Sequence, residues 1–111
     1  MRFWGLKTCD TCRKAVKALE GAGAVVEYVD VRADGVAPAD LARFHQAFGA
    51  ALINRRSTTW RGLSEAERTV DPLDLLAEHP TLMKRPVIED GEKLTLGWDA
   101  KTREDWLEHT A

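Results

Sequence analysis

Apolar positions along this chain fall either in short strand-like runs or at helical spacing, and the switch between the two marks its elements. Met1-Arg2-Phe3-Trp4-Gly5-Leu6 reads as a short strand. Cys12, Ala15, Val16, Leu19 and Ala22 then recur at helical spacing, with Arg13, Lys14, Lys17 and Glu20 on the other face. Gly21-Ala22-Gly23 supplies a C-terminal cap, and Val25 to Val31, rich in β-branched residues with Tyr28 among them, reads as a buried strand. Strand, helix and strand in so short a span predict a βαβ unit with parallel strands and a right-handed crossover.

The middle of the chain is helix-like but broken. Asp34-Gly35 marks a turn, and Pro38 opens a helix through Phe48 with Leu41, Phe44 and Phe48 inward and Asp40 and Arg43 outward. Gly49 ends it. Ala50 to Ile53 is an apolar turn, Asn54 to Thr59 an irregular polar segment, and Ser64-Glu65-Ala66-Glu67 a small capped turn. Asp71-Pro72 opens another helix to about His79, which Pro80 stops. Pro86 to Glu89 and Lys93 to Leu96 flank Asp90-Gly91, a hairpin signal, and a last helix runs from about Ala100 to His109, burying Trp106 and Leu107. The order β-α-β, helices, β-β-α is that of an α/β, thioredoxin-like fold with a helical insertion, at about 38–80, between its two halves. The expectation is one domain over residues 1–111.

Composition narrows the function classes. A net charge of −2 lacks the basic surplus of a nucleic-acid binder, so no direct nucleic-acid partner is expected. No apolar run approaches the roughly 18 residues of a membrane span, and Lys7, Cys9, Asp10 and Arg13 interrupt any signal-peptide core. A cytoplasmic protein without membrane contact is expected.

The chemistry concentrates at Cys9-Asp10-Thr11-Cys12, which holds both cysteines of the chain where the first strand meets the first helix. Unpaired backbone N–H groups and the positive end of the helix dipole favour thiolate there, and Lys7, Arg13 and Lys14 add positive charge. Three other readings compete: half of a zinc site, a static disulfide, or two inert buried thiols. The scattered His45, His79 and His109 offer no second ligand pair, and a reducing compartment works against a static disulfide. No metal and no bound cofactor are expected. Each histidine reads as structural or exposed, and the acidic run Glu65, Glu67, Asp71, Asp74 and Glu78 reads as a solvated helix face. The four tryptophans read as packing.

Four segments carry a family resemblance: Gly5 to Ala15, Asp30 to Gly35, Leu52 to Arg61, and Met83-Lys84-Arg85-Pro86-Val87. With them the chain resembles the ArsC/Spx family, most closely its YffB-like branch of small thiol reductases. The resemblance implies the same thioredoxin-like fold. It aligns Cys9 with the reactive cysteine, Arg85 with an arginine facing it, and Pro86 with a proline that is cis in such folds. Cys12 is then a second catalytic thiol, able to resolve an intermediate.

For substrate binding the candidates are Lys7, Thr8, Thr11, Arg56 and Pro86. Lys7 either lowers the Cys9 pKa or is a solvated charge; Thr8 and Thr11 either bond the thiolate or cap the helix. Arg56 and Arg85 would take carboxylates of glutathione or a substrate oxyanion. The implied activity is a thiol-dependent reductase with glutathione as co-substrate, or a glutaredoxin-type protein as donor. The alternative is a Spx-like redox sensor that binds RNA polymerase. Arsenate reduction ranks third, because of the three arginines that would hold arsenate only Arg85 is matched, with Asn54 and Gly97 at the others.

Overall fold

A computed structural model describes residues 1–110, with side chains through Leu107, so the side chain of His109 lies outside the described residues. The chain divides into two compact units: Met1–Asp30 with Arg85–Ala111, and Val31–Lys84.

The first unit holds a mixed sheet of four strands: β1 (Arg2–Gly5), β2 (Glu27–Asp30), β3 (Val87–Asp90) and β4 (Lys93–Leu96), in the order β2-β1-β3-β4. β1 runs parallel to β2, as the βαβ pattern predicts, and antiparallel to β3; β3 and β4 form the hairpin. Helices α1 (Asp10–Gly21) and α6 (Ala100–Thr110) complete the unit. In register, Phe3 stands between Tyr28 and Ile88, so these three side chains share one sheet face. Phe3, Ile88, Cys12, Ala15, Leu19 and Trp106 form the core on that face, with Tyr28, Val16 and Leu107 packed partly buried against it. The Trp106 indole N–H donates to Thr95 Oγ1 at 2.6 Å, which satisfies its one polar atom inside that core.

Two local expectations shift. Val25 is 86% exposed rather than part of a buried strand, because β2 begins only at Glu27, where its pairing with Arg2 begins. Asp90 belongs to β3 and pairs with Lys93, which leaves Gly91-Glu92 as the two-residue loop. Gly91 takes φ +60°, the positive φ at the first loop position that a type II′ hairpin turn requires.

The second unit is helical: α2 (Pro38–Phe48), α3 (Thr58–Arg61), α4 (Glu65–Arg68) and α5 (Pro72–Glu78). Leu41 and Phe44 of α2 and Leu75 and Leu76 of α5 are buried, whereas Phe48 is only half-buried. Within this unit, backbone bonds from Asn54 N–H to the Leu82 carbonyl and from Lys84 N–H to the Leu52 carbonyl tie the stretch that follows α2 to the stretch that follows α5. The segment expected to be irregular contains the single turn α3, because the Ser57 hydroxyl caps the Trp60 N–H at 3.1 Å. Ser64 and Glu67 close a full capping box on α4, as their spacing predicts. Pro80 ends α5 and starts a short 3-10 turn, Pro80–Leu82.

Candidate active site

Cys9 is the N-cap of α1, with extended backbone and no side-chain capping bond. Capping by Thr8 or Thr11 is therefore not what the helix uses; both are exposed, and Thr11 acts through its backbone. The loop ahead of Cys9 is held from both sides. Cys9 N–H donates to the Leu6 carbonyl at 2.9 Å, and Lys7 N–H donates to the Asp30 carboxylate at 3.1 Å. Asp30 is 6% exposed, a carboxylate buried at the end of β2 that fixes the strand-to-helix turn carrying the thiol.

Both cysteines are free thiols, and their surroundings push them apart. For Cys9, burial opposes ionisation, but the Cys12 N–H, the Cys12 thiol, the Arg85 guanidinium and the Thr11 N–H outweigh it. The Cys9 pKa lies below the ordinary thiol value. For Cys12, at 0% exposure, burial dominates and pushes the pKa up to about 11; the Leu6 N–H opposes that rise, and the nearby Cys9 adds to it. One thiol is thus poised to ionise at the helix start while its neighbour, one turn inside, keeps its proton.

Arg85 precedes a cis peptide bond to Pro86, as the resemblance implies, and Pro86 is buried. Lys7 is exposed. It borders a groove of about 420 Å³ with Arg13, Val16, Lys17, Glu20 and Tyr28, cationic at its rim and floored by an aromatic ring. Arg13 is ion-paired with Asp10.

Arg56 belongs to the other unit. It is exposed there, with its backbone N–H held by the Asn54 side chain at 3.1 Å, and it lines a hollow of about 530 Å³ with Asn54, Arg55 and Lys84. In that unit the guanidinium groups of Arg55 and Arg68 lie over the Trp60 ring, 5.5 and 5.4 Å from its centre. Among the described residues no group of three His, Cys, Asp or Glu side chains gathers to hold a metal ion.

Asp30, Gly5 and Tyr28 stand around the thiols without having been assigned a role from the sequence, where Gly5 and Asp30 enter only as the first residues of two family segments. A Cβ on Gly5 would lie 2.7 Å from Phe3 Cε1, 2.8 Å from the Tyr28 hydroxyl and 3.0 Å from Cys12 Sγ, so only glycine fits between them. The available signal was the parallel pairing itself, which sets Tyr28 beside Phe3 and Asp30 beside Gly5.

A thioredoxin-like sheet, with a cysteine activated where a strand meets a helix and a second thiol one turn on, defines a thiol-dependent reductase in general terms. More narrowly, the chain belongs to the ArsC family, whose model matches residues 4–106. An uncharacterized protein of Haemophilus influenzae is 40% identical over 103 residues, which cover 88% of this chain and 90% of that protein. The solved YFFB protein superposes with a TM-score of 0.85 at 28% identity, covering 96% of this chain and 97% of that one. An arsenate reductase (ArsC) related protein from Brucella melitensis gives a TM-score of 0.73 at 33% identity, over 96% and 93% of the two chains.

Proposed function

We propose that this protein is a cytoplasmic thiol-disulfide oxidoreductase with Cys9 as nucleophile and glutathione, or a glutaredoxin-type protein, as reductant. The observation that carries the reading is the contrast between the two thiols: Cys9, partly exposed, is drawn toward thiolate, and Cys12 is buried and protonated.

Cys9 thiolate attacks one sulfur of a disulfide, forming a mixed disulfide and releasing the other sulfur as thiolate. Cys12 then attacks Cys9 Sγ, the bound thiol leaves, and the Cys12 proton passes to it. Two glutathione molecules reduce the resulting Cys9–Cys12 disulfide and leave as glutathione disulfide. Alternatively glutathione resolves the first mixed disulfide directly. Arg85, whose charge already favours the Cys9 thiolate, steers an anionic co-substrate toward it. On the resemblance, Arg56 binds a carboxylate of that co-substrate, a role that Arg56→Ala tests by raising KM.

Arsenate is a poor fit to the same residues. Three bidentate contacts would organise a tetrahedral oxyanion, and Asn54 and Gly97 supply no guanidinium.

The deciding experiment is turnover of a mixed glutathione disulfide with glutathione as reductant. Loss of turnover in Cys9→Ser is expected; full activity in that variant overturns the assignment.

A further inference from the structure

Tyr28 carries a buried hydroxyl that forms no hydrogen bond among the described residues. Such a group is uncommon, because a buried polar atom without a partner has given up its hydrogen bonds to water and gained none in return. The hydroxyl is not lost in an apolar pocket. It lies 2.8 Å, and Cys12 Sγ 3.0 Å, from the single point that a Cβ on Gly5 would fill. The missing side chain of Gly5 leaves a space that the phenol hydroxyl and the sulfur both border. The Tyr28 ring is held there by Phe3, with ring centroids 5.0 Å apart. Burial, the charges of Cys12, Asp30 and Cys9, and the Cys12 sulfur within hydrogen-bonding reach push its pKa up, so it stays a proton donor wherever the cysteines react.

We propose that the Tyr28 hydroxyl is a hydrogen-bond donor held in reserve for the Cys12 thiolate, and that it sets the rate at which Cys12 resolves the mixed disulfide on Cys9. This rests on the reading of Cys9 as nucleophile. A protonated thiol is a weak acceptor, so the bond is not formed in the resting protein. A thiolate is a charged acceptor, and the bond forms as Cys12 gives up its proton. The interaction therefore stabilises the reacting form without stabilising the resting one, which is the condition for accelerating a step. It also answers how a thiol raised by burial can act as the resolving group.

The step balances without any further reactant. With dithiobis-nitrobenzoate, an aromatic disulfide that releases a coloured thiolate, Cys9 thiolate displaces one aryl thiolate and becomes a mixed disulfide. Cys12 then loses its proton to solvent, attacks Cys9 Sγ and displaces the second aryl thiolate, leaving the Cys9–Cys12 disulfide. The colour appears in two phases, one for each cysteine.

Two replacements of Tyr28 change its donor strength in opposite directions. Tyr28→Phe keeps the ring against Phe3 and removes the donor. Tyr28 is the only tyrosine of the chain, so growth on fluorotyrosine places a more acidic phenol, a stronger donor, at this position alone. The expected result is a first phase within about twofold of wild type in both proteins, with the second phase slowed about tenfold or more by Phe and quickened by fluorotyrosine, in line with a bond to a charged group. A second phase indifferent to both replacements overturns the proposal, as does equal slowing of both phases, which would mark a packing effect. A wild-type protein without a second phase also overturns it. The absence of a first phase would instead strike at Cys9 as nucleophile.

Discussion

Cys9 and Cys12 are separated by one turn of α1, and the turn divides a thiol that ionises easily from one that does not. The helix start lends Cys9 the N–H groups of Thr11 and Cys12, while the same geometry drives Cys12 to 0% exposure beneath the helix. The pair is thus ordered before any substrate arrives, and on the proposed function Cys9 attacks while Cys12 waits.

That order predicts different fates for the two serine variants. Cys9→Ser abolishes formation of a mixed disulfide with glutathione. Cys12→Ser still forms it and retains it until external glutathione arrives. Mass spectrometry of the intact protein after exposure to glutathione disulfide checks both outcomes.

Arg85 favours the Cys9 thiolate by its charge, so removing that charge moves Cys9 ionisation to higher pH. Arg85→Ala slows alkylation of Cys9 at neutral pH and shifts its pH midpoint upward. Arg85→Lys keeps the charge and shifts it less. An alkylation rate series across pH separates the three proteins.

Gly5 has no room for a side chain. In Gly5→Ala the new Cβ meets Phe3 Cε1 at 2.7 Å, with the Tyr28 hydroxyl and Cys12 Sγ almost as close, and Phe3 is fully buried. Overpacking of this kind costs about 1–3 kcal/mol, read as a lower midpoint of denaturant unfolding. The same substitution disturbs the second phase of disulfide exchange, because it displaces the two groups that must meet there.

Much of this architecture was legible in the sequence. Short apolar runs bounded by turn residues located β1 and the hairpin, and helical spacing located α1, α2 and α5, since the helices bury one face. The order β2-β1-β3-β4 was not, because spacing fixes which residues share a face and not which strands are neighbours. Val25 misled for a related reason: β-propensity continues beyond the point where a strand has a partner to pair with. In the site, Cys9 and Cys12 stood out as a motif, whereas Tyr28 looked like an ordinary strand residue and Asp30 carried no role beyond opening a family segment. What makes them part of the site is their alignment with Phe3 and Gly5 across more than twenty positions of chain, which no local pattern records.

Cys12 also ties stability to alkaline pH. Its pKa rises on folding from 9.0 to about 11, so the folded state prefers the neutral thiol more than the unfolded chain does. Its contribution is fully present below pH 9.0 and is lost as the pH climbs toward about 11. Denaturant unfolding at successive pH values is expected to show a fall over that window in the wild type and a shallower one in Cys12→Ala.

Whether the start of α1 activates Cys9 is read from the pH dependence of Cys9 alkylation in Cys12→Ser. Serine removes the competing thiol and keeps a hydroxyl in its place. A midpoint below the free-cysteine value of about 8.5 is expected. A midpoint at or above that value would contradict it, because neither the helix start nor Arg85 would then be acting on the sulfur.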